Sequence, residues 1–372
     1  MCFARSSHAI VIDSYLHALT RSLAYLVSMT KRAKSKVTIY EVARHAGVAI
    51  STVSRVLNDS PDVSDRTRKK VEQAIDGLMY RPNRTARSLA QQEFHSFAVA
   101  LPSFTAPFQN ELLKGIRAFL REGNQDLLIC DLGSNNTQDA LMSFLDRGAV
   151  RGLLLCGMPI DDDLAGELSA LQSPTVLIGY AWPAFDSFSW DDVAGAESAV
   201  THLLENGHSY VCMIRSAIDS EIQLSRIKGY RKALTKVGIS FDPERIVEGK
   251  PCYHAGFSEE DGYDAMQTIL KDHPETTAVF ASSDVQAIGA LAALQEAGKS
   301  APQDIAVVGY DDIKTSRFIG LSSVDQSMQK IGYAAARKLH DRVQGTASDA
   351  PSQVVTEPKL EIRASSDFIK TR

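Results

Sequence analysis

One short segment of the sequence carries side chains that could contact nucleic-acid bases. Between residues 50 and 58 stand one isoleucine, three small hydroxyl residues, one arginine and one asparagine. A hydroxyl group can donate or accept a hydrogen bond at a base edge, isoleucine can touch a thymine methyl group, and arginine can pair bidentately with guanine. The pattern predicts DNA reading by the following candidates: Thr38, Ile50, Ser51, Thr52, Ser54, Arg55 and Asn58.

Three short amphipathic helices are expected to hold these residues. Thr38 and Glu41 have the spacing of a capping box, Gly47 stands where the chain must turn sharply, and Ser64 is a candidate N-cap for the third helix. The apolar stripes are Ile39, Val42, Ala43 and Ala46, then Val53, Val56 and Leu57, then Val71, Ala74, Ile75 and Leu78. Such helices describe a helix-turn-helix domain. The alternative is a plain three-helix bundle with a solvated charged face. It leaves the hydroxyl-rich outer face of the second helix unexplained.

The charge of the chain is unevenly distributed. Residues 31–90 carry 13 basic and 6 acidic side chains, a net charge of +7, whereas residues 91–372 carry 25 basic and 38 acidic side chains, a net charge of −13. Because the N-terminal part is basic and the rest of the chain is acidic, we expect only the N-terminal part to bind a polyanion such as double-stranded DNA.

Three stretches, "TIYEVARHAGVAISTVSRVLN", "VSDRTRKKV" and "YRPNRTARSLA", resemble the headpiece of the lactose-repressor (LacI/GalR) family of bacterial transcription regulators. The resemblance extends to about residue 363. It implies that Ile50, Ser51 and Arg55 read bases from the recognition helix. One departure is Ala49, where the family usually has serine. Losing that cap and phosphate contact would cost about 1 kcal/mol, unless Ser51 or the backbone compensates.

Residues 81–92 are expected to form a hinge. By itself this polar segment is too short for a stable helix, and a linker is the simplest interpretation. The resemblance implies that it becomes helical when two chains pair on a palindromic operator, with a leucine wedged into a minor-groove base step. The residues that match the family pattern are Asn83, Arg84, Ala86 and Leu89. A homodimer on DNA is therefore expected.

From residue 96 onward, short apolar runs alternate with amphipathic stretches. Seven runs, from "SFAVALPSF" to "IAVVGYDD", are typical of buried strands, and helices are expected at 109–122, 136–148, 192–206, 221–238 and 284–298. This alternation predicts parallel sheets covered by helices on both faces, and its length predicts two α/β lobes. The resemblance implies a periplasmic-binding-protein-like fold, with a ligand cleft between the lobes and crossover strands near 187–192, 315–320 and 322–327.

The expected organisation follows from these patterns. An all-α helix-turn-helix domain at 37–80 and a hinge at 81–92 precede a two-lobed α/β effector-binding and dimerisation domain at 93–363 and a tail at 364–372. Residues 1–36 are expected to be an extension, either disordered or a mis-assigned start. Met29 is the favoured true start, and an amphipathic accessory helix is the alternative. The tail is too short for a tetramerising coiled coil, so a dimer is expected.

Candidate ligand contacts come from the residues that close the apolar runs, because ligands of such folds sit at the carboxyl ends of strands. Asp311 follows one run, Ser283 and Asp284 close another, and Arg226 matches a ligand-contacting arginine of the family. The aromatic residues that could stack on a ring are Phe108, Tyr180 and Phe257, with Trp182 and Trp190 as looser candidates. Any of them could instead be structural, as a helix cap or as part of the core.

The sequence does not restrict the ligand to one chemical class. Many sugar-responsive family members have aspartate where this chain has Gly179, so one polar anchor is missing from the first lobe. A sugar, a sugar phosphate, a nucleoside or a purine-like effector all stay open. A sugar is favoured, because Arg226 is not part of a concentrated basic cluster that would bind phosphate.

Other classes of protein find no support in the sequence. It contains no phosphate loop, no G-x-S-x-G motif and no H-E-x-x-H motif, so neither an enzyme, nor a cofactor, nor a metal site is predicted. No apolar run approaches the roughly 20 residues of a membrane span, and five widely spaced cysteines fit a reducing compartment.

The sequence predicts a cytoplasmic, nucleoid-associated transcription regulator that acts as a repressor. The alternative is a transport-type solute-binding protein, which would need a signal peptide and no DNA-binding head.

Overall fold

The chain divides into two units, Met1–Gln92 and Glu93–Arg372, which we term the headpiece and the body and consider separately. The computed structural model describes residues 37–57, 59–80, 96–123, 125–133, 136–146, 150–171, 173–250 and 257–367. The predicted N-terminal extension (1–36) and hinge (81–92) lie outside the described residues.

Three helices form the described part of the headpiece: α1 (Ile39–Ala46), α2 (Ile50–Leu57) and α3 (Asp65–Gly77). Gly47 ends α1 in the left-handed conformation, with φ of 64°, which is the sharp turn expected of a glycine at that place. The three predicted apolar stripes meet in one small core, whose fully buried members are Val42, Ala43, Val53, Val56, Val71 and Ala74. The helix-turn-helix prediction is confirmed.

The first lobe of the body is built on a six-stranded parallel sheet. Its strands are β1 (Ser96–Leu101), β2 (Asp126–Asp131), β3 (Gly152–Cys156), β4 (Thr175–Ile178), β5 (Asp186–Trp190) and β11 (Gln353–Thr356), in the spatial order β11-β5-β4-β3-β1-β2. The helices of this lobe are α4 (Pro107–Glu122), α5 (Thr137–Asp146), α6 (Asp162–Ala170) and α12 (Met328–Gln344).

The second lobe repeats this plan. Its strands are β6 (Val211–Arg215), β7 (Ile246–Glu248), β8 (Ala278–Ala281), β9 (Ala306–Asp311), β10 (Ser322–Asp325) and β12 (Lys359–Glu361), in the order β12-β10-β9-β8-β6-β7. Only β12 runs antiparallel to its neighbour. The helices are α7 (Asp192–Glu205), α8 (Glu221–Lys236), α9 (Glu259–Asp272), α10 (Asp284–Glu296) and α11 (Lys314–Ile319), with a 3-10 turn at Pro243–Arg245. The five predicted helices correspond to α4, α5, α7, α8 and α10, with ends within two residues of expectation.

Each sheet has an apolar core on both faces, as its uninterrupted apolar strands require. Cys130, Cys156 and Cys212 are buried and form no disulfide bond within the described residues. Ser365 and Ser366 are also buried, and the Ser365 hydroxyl donates to the Val307 carbonyl at 2.6 Å. The packed part of the body therefore extends beyond residue 363, where the tail was expected to begin. In the described part of the chain, no helix combines the length and apolarity of a membrane span.

Within the described part of the body, the chain passes between the lobes three times: between β5 and α7, between β10 and α12, and between β11 and β12. The segments predicted near 187–192 and 322–327 contain the first two passages. The prediction near 315–320 is wrong, because those residues form α11 inside the second lobe. The third passage joins two short, largely exposed strands, β11 and β12, which carry no apolar run that sequence periodicity could detect.

Candidate functional site

The outer face of α2 is polar and accessible. Ser51, Ser54 and Arg55 are exposed, Ile50 is 41% exposed, and Thr52 is half-buried. The opposite face packs into the headpiece core. Since α2 buries its apolar stripe, the predicted DNA-reading residues lie together on the side that solvent, or a DNA groove, can reach.

At the starts of α1 and α2, N–H groups of the first turn donate to the carbonyl of the residue before the helix; in α1 the donors are Glu41 and Val42, at 3.1 and 3.3 Å from the Thr38 carbonyl. The two starts differ in that a carboxylate side chain also caps α1. At α1, the Glu41 carboxylate accepts the Thr38 N–H at 2.7 Å and the Thr38 hydroxyl at 3.2 Å, so Thr38 also has a structural role. At α2, the N–H groups of Thr52 and Val53 donate to the Ala49 carbonyl at 2.9 and 3.2 Å. The methyl side chain of Ala49 provides no acceptor for the amide groups of the first turn.

Arg68, which the sequence reasoning did not select, supports the segment after α2. Its guanidinium donates to the Asp59 carboxylate at 3.1 Å and to the Ser60 carbonyl at 2.7 Å, which ties α3 to that segment. The remaining predicted DNA contacts lie outside the described residues: Asn58, Asn83, Arg84, Ala86 and Leu89.

In the body, Arg226 is the central charged residue at the strand ends of the second lobe. It is buried on the first half of α8, and its Nε donates to the Asp192 carboxylate at 2.9 Å. Its Nη1 donates to the Ser282 carbonyl, just after β8. The guanidinium also lies 3.8 Å from the centre of the Tyr310 ring, in a cation–π contact. Asp192 stands directly after the first passage between the lobes, so Arg226 holds that passage to the second lobe.

Asp311 lies at the carboxyl end of β9, where the sequence predicted it. It is buried, and its Oδ1 accepts a hydrogen bond from the Gln326 side chain at 2.7 Å. Burial and the neighbouring Asp284 raise the pKa of Asp311 well above its usual value, against the opposite effect of Arg226. Asp311 and Asp312 both have positive φ, at 114° and 49°. Such conformations cost about 1–3 kcal/mol each and are characteristic of ligand sites.

Ser283 and Asp284 have structural partners in the second lobe. The Ser283 hydroxyl caps α10 by accepting the Gln286 N–H at 3.3 Å. Asp284 accepts the Ile313 N–H at 2.8 Å and the hydroxyls of Ser316 and Ser323 at 2.6 and 2.5 Å, and its burial raises its pKa to about 7. Asp284 thus joins α10 to the segment before α11 and to β10. This is the structural role that the sequence analysis held open for it.

Aromatic residues from both lobes gather in one apolar cluster. The rings of Phe108 and Trp190 meet edge to face at 6.0 Å, and the Trp190 indole N–H donates to the Gln326 carbonyl at 2.7 Å. Phe257, from the second lobe, packs against the same cluster. Trp182, by contrast, packs on the other face of the first sheet. Trp190 therefore belongs to the cluster that residues of both lobes share, and Trp182 does not.

Tyr180 and Gly179 close strand β4 on the first-lobe side. Tyr180 is half-buried, and burial followed by the charges of Glu221 and Asp192 raises its pKa. Gly179 has φ of 94°, and a Cβ there would lie 3.9 Å from the Trp190 ring, an ordinary contact distance. Any side chain at this position, the family's aspartate included, is thus disfavoured by the backbone conformation, although a Cβ itself would make only ordinary contacts.

The chemistry of these groups suits a neutral, hydrogen-bonding ligand. One buried cation, Arg226, already faces the Asp192 carboxylate, and Asp311 adds a second acidic group. A further anion such as a phosphate would lack an unmatched cation here, whereas hydroxyl groups can both donate to carboxylates and accept from a guanidinium.

Two family models match the chain. Residues 38–83 match "Bacterial regulatory proteins, lacI family", and residues 200–366 match "Periplasmic binding protein-like domain". The HTH-type transcriptional regulator CelR of Thermobifida fusca is 32% identical over 339 residues, which cover 88% of this chain and 98% of the relative. The chain belongs to the lacI family of bacterial regulatory proteins. This lacI-family regulator is also 30% identical over 336 residues to catabolite control protein A of Priestia megaterium, across 88% of the chain and 99% of the relative.

Solved structures agree with this assignment. The complex of the transcriptional regulator CelR with cellobiose has a TM-score of 0.64 and 31% identity, over 88% of this chain and 99% of that one. The lac repressor dimer bound to operator and the anti-inducer ONPF has a TM-score of 0.75 and 27% identity, over 90% and 100%. The predicted family, fold class and regulatory function are confirmed. The relatives of this lacI-family regulator are transcription regulators and not enzymes, and the match of the headpiece contradicts the solute-binding alternative.

Proposed function

We propose that the protein is a homodimeric repressor that reads a palindromic operator with the outer face of α2. Arg55, Ile50 and Ser51 are the base-reading residues, and the hinge residues Asn83, Arg84, Ala86 and Leu89 complete the DNA contact. The exposure of the α2 outer face above a packed apolar stripe supports this role.

We further propose that a sugar bound between the two lobes of the body controls operator affinity. The observation that carries this proposal is the bridge formed by Gln326, which donates to Asp311 of the second lobe at 2.7 Å and accepts from the Trp190 indole at 2.7 Å. Gln326 thereby joins the strand end of the second lobe to an apolar cluster to which both lobes contribute, including Phe108, Trp190 and Phe257. Related regulators have been solved with cellobiose and with ribose. Tyr180, Ser283 and Asp284 complete the proposed lining, with the last two supporting its shape.

The passages between the lobes offer a route for this control. Trp190 and Asp192 flank the first passage and Gln326 lies on the second. One residue of the proposed site, Trp190, and the hydrogen-bond partners of Arg226 and Asp311 therefore stand where the lobes are joined. A ligand that draws the lobes together moves these joints. In a dimer, that movement changes the spacing at which the two chains present their hinges to DNA. Because the relatives are bacterial DNA-binding regulators, we place this action in the cytoplasm, on the nucleoid.

The proposed function is tested by a thermal-shift screen of the full chain against sugars, sugar phosphates, nucleosides and purines. A neutral sugar is expected to raise the unfolding midpoint, and the same sugar should change the affinity for an operator selected from a palindromic DNA library. Stabilisation only by a phosphorylated sugar or by a purine would refute the sugar assignment. A sugar that binds without changing operator affinity would refute the control of DNA binding.

The dimer is proposed to form along the free edge of the first sheet. Strand β2 is an edge strand, with Leu128 and Ile129 exposed by 43% and 46%. Beside it lies a groove of about 560 Å3, where apolar side chains such as Leu113, Leu127 and Ile129 alternate with charged ones such as Lys114 and Arg117. An open edge with a large apolar surface is a typical self-association surface.

The substitution Ile129→Lys is expected to convert the dimer into a monomer, because it places a charge in the contact. Sedimentation velocity of the full chain measures this, and operator affinity should fall with it. The control is Val237→Lys, which alters a residue 53% exposed at the end of α8 and should leave the dimer intact. An unchanged sedimentation coefficient for Ile129→Lys would place the dimer contact elsewhere.

A further inference from the structure

Gln223 is a fully buried polar residue at the edge of the proposed cleft. It lies in the first turn of α8, three residues before Arg226. Both side chains reach Ser282, which follows β8: Gln223 donates from Nε2 to the Ser282 hydroxyl oxygen at 3.1 Å, and Arg226 donates to the Ser282 carbonyl. The two side chains therefore share one face of α8, directed at the strand ends where ligands of α/β folds bind.

The side-chain oxygen of Gln223 is buried and has no hydrogen-bond partner among the described residues. Its orientation follows from the neighbouring network. The Ser282 hydroxyl donates its one hydrogen to the Gln286 side-chain oxygen at 2.8 Å, so it can only accept from Gln223. Gln223 must then present its amide nitrogen to Ser282, which leaves the oxygen as the free group.

A buried acceptor without a partner lowers stability, because folding strips it of water and returns no hydrogen bond. Such groups are uncommon in folded proteins and call for an explanation. A ligand would supply one here, because Gln223 and Arg226 both reach Ser282 at the strand ends, where the cleft is proposed.

We propose that Gln223 is a specificity-determining residue of the effector cleft, whose side-chain oxygen accepts a hydrogen bond from a hydroxyl group of a neutral sugar. This proposal rests on the proposed function. It adds that the protein distinguishes its sugar from the corresponding deoxy sugar at one defined hydroxyl, because without that donor the buried oxygen stays unpaired in the complex.

A second glutamine provides a matched control. Gln125 also has a buried side-chain oxygen without a partner among the described residues, while its Nε2 lies 3.3 Å from the His340 ring nitrogen. Gln125 directly precedes β2, at the amino ends of the strands and therefore at the opposite edge of a sheet from the cleft side. The substitutions Gln223→Met and Gln125→Met each remove one unpaired acceptor together with one hydrogen bond of the amide nitrogen, to Ser282 and to His340 respectively, at similar side-chain length. Only the first touches the cleft.

The experiment compares the full-length wild-type protein with both variants. Without ligand, thermal unfolding is expected to give Gln223→Met a midpoint no lower than that of Gln125→Met. Calorimetric titration then uses the panel sugar that most stabilises the wild type, with cellobiose and ribose among those tested. Gln223→Met should bind it about tenfold more weakly, the loss of roughly one hydrogen bond, and Gln125→Met should bind it as the wild type does.

Deoxy analogues of the same sugar identify the hydroxyl. For one of them the wild type should lose about tenfold in affinity, while Gln223→Met should bind sugar and analogue equally. Wild-type affinity in Gln223→Met would overturn the proposal. If no sugar stabilises the wild type, the sugar effector itself fails. The ligand-free comparison then still tests whether the Gln223 oxygen is unpaired. A lower midpoint for Gln223→Met than for Gln125→Met would mean that this oxygen has a structural partner. An equal or higher midpoint supports an unpaired oxygen.

Discussion

Alanine in place of Arg226 is expected to abolish sugar binding and to lower the free energy of unfolding by about 3–5 kcal/mol. Arg226 is buried, and its guanidinium pairs with the Asp192 carboxylate, the Ser282 carbonyl and the Tyr310 ring. Its removal leaves a buried carboxylate without a cation and a carbonyl without a donor. Urea unfolding of the full chain, followed by tryptophan fluorescence, measures the loss of stability, and calorimetry measures the loss of binding.

The matched control is Arg215→Ala, which alters the last residue of β6. The Arg215 side chain is 13% exposed, but its partners Asp219 and Glu248 are 72% and 43% exposed, so its removal leaves no buried carboxylate and should cost less than the removal of Arg226. In the double variant Arg226→Leu with Asp192→Asn, stability should recover in part while sugar binding stays absent. If Arg226→Ala were as stable as Arg215→Ala, the buried pair would not hold the first passage between the lobes.

Alanine in place of Arg55 is expected to weaken operator binding by about 1–3 kcal/mol per half-site and to relax the base preference at one position of each half-site. Arg55 is exposed on the outer face of α2, and its guanidinium can form two hydrogen bonds with guanine. A symmetric dimer makes the contact twice, so the effect on the whole operator is about doubled. Fluorescence anisotropy with the selected operator and its single-base variants measures both changes.

Arg66→Ala is the control, because Arg66 is equally exposed but stands on α3. Its loss should remove at most a general attraction to phosphate and leave the order of preferred sequences unchanged. A variant Arg55→Ala with the same sequence preference as the wild type would assign base reading to other residues of α2.

The headpiece is the part most completely predictable from sequence. Its contacts are local: each stripe recurs at helical spacing, and three stripes of this kind have essentially one way to be buried in so short a chain. The predicted stripe residues indeed meet in a single core. In the body, the same reasoning places helices within two residues, because apolar strand runs and helical stripes are also local patterns.

The passages between the lobes mark the limit of such reasoning. Residues 315–320 contain the apolar pair Phe318 and Ile319 and suggest a strand, yet they form a short helix on which Phe318 is 79% exposed. Strands β11 and β12 are too short and too exposed to leave a periodic signal, although they carry the third passage. Their place is set by partners distant in sequence.

For the candidate site, too, sequence patterns predicted some features and the tertiary structure decided others. The sequence by itself placed Asp311 at a strand end, because ligand residues of parallel α/β sheets follow the strands that position them. Arg226, which lies on α8, was selected through the resemblance to the family. Only the tertiary structure decided what each one contacts. It paired Arg226 with Asp192, engaged Asp284 in structural hydrogen bonds, and left the Gln223 oxygen without a partner among the described residues. The physical reason is that periodicity records which side of an element is buried, whereas hydrogen-bond partners depend on where distant elements bring their polar atoms.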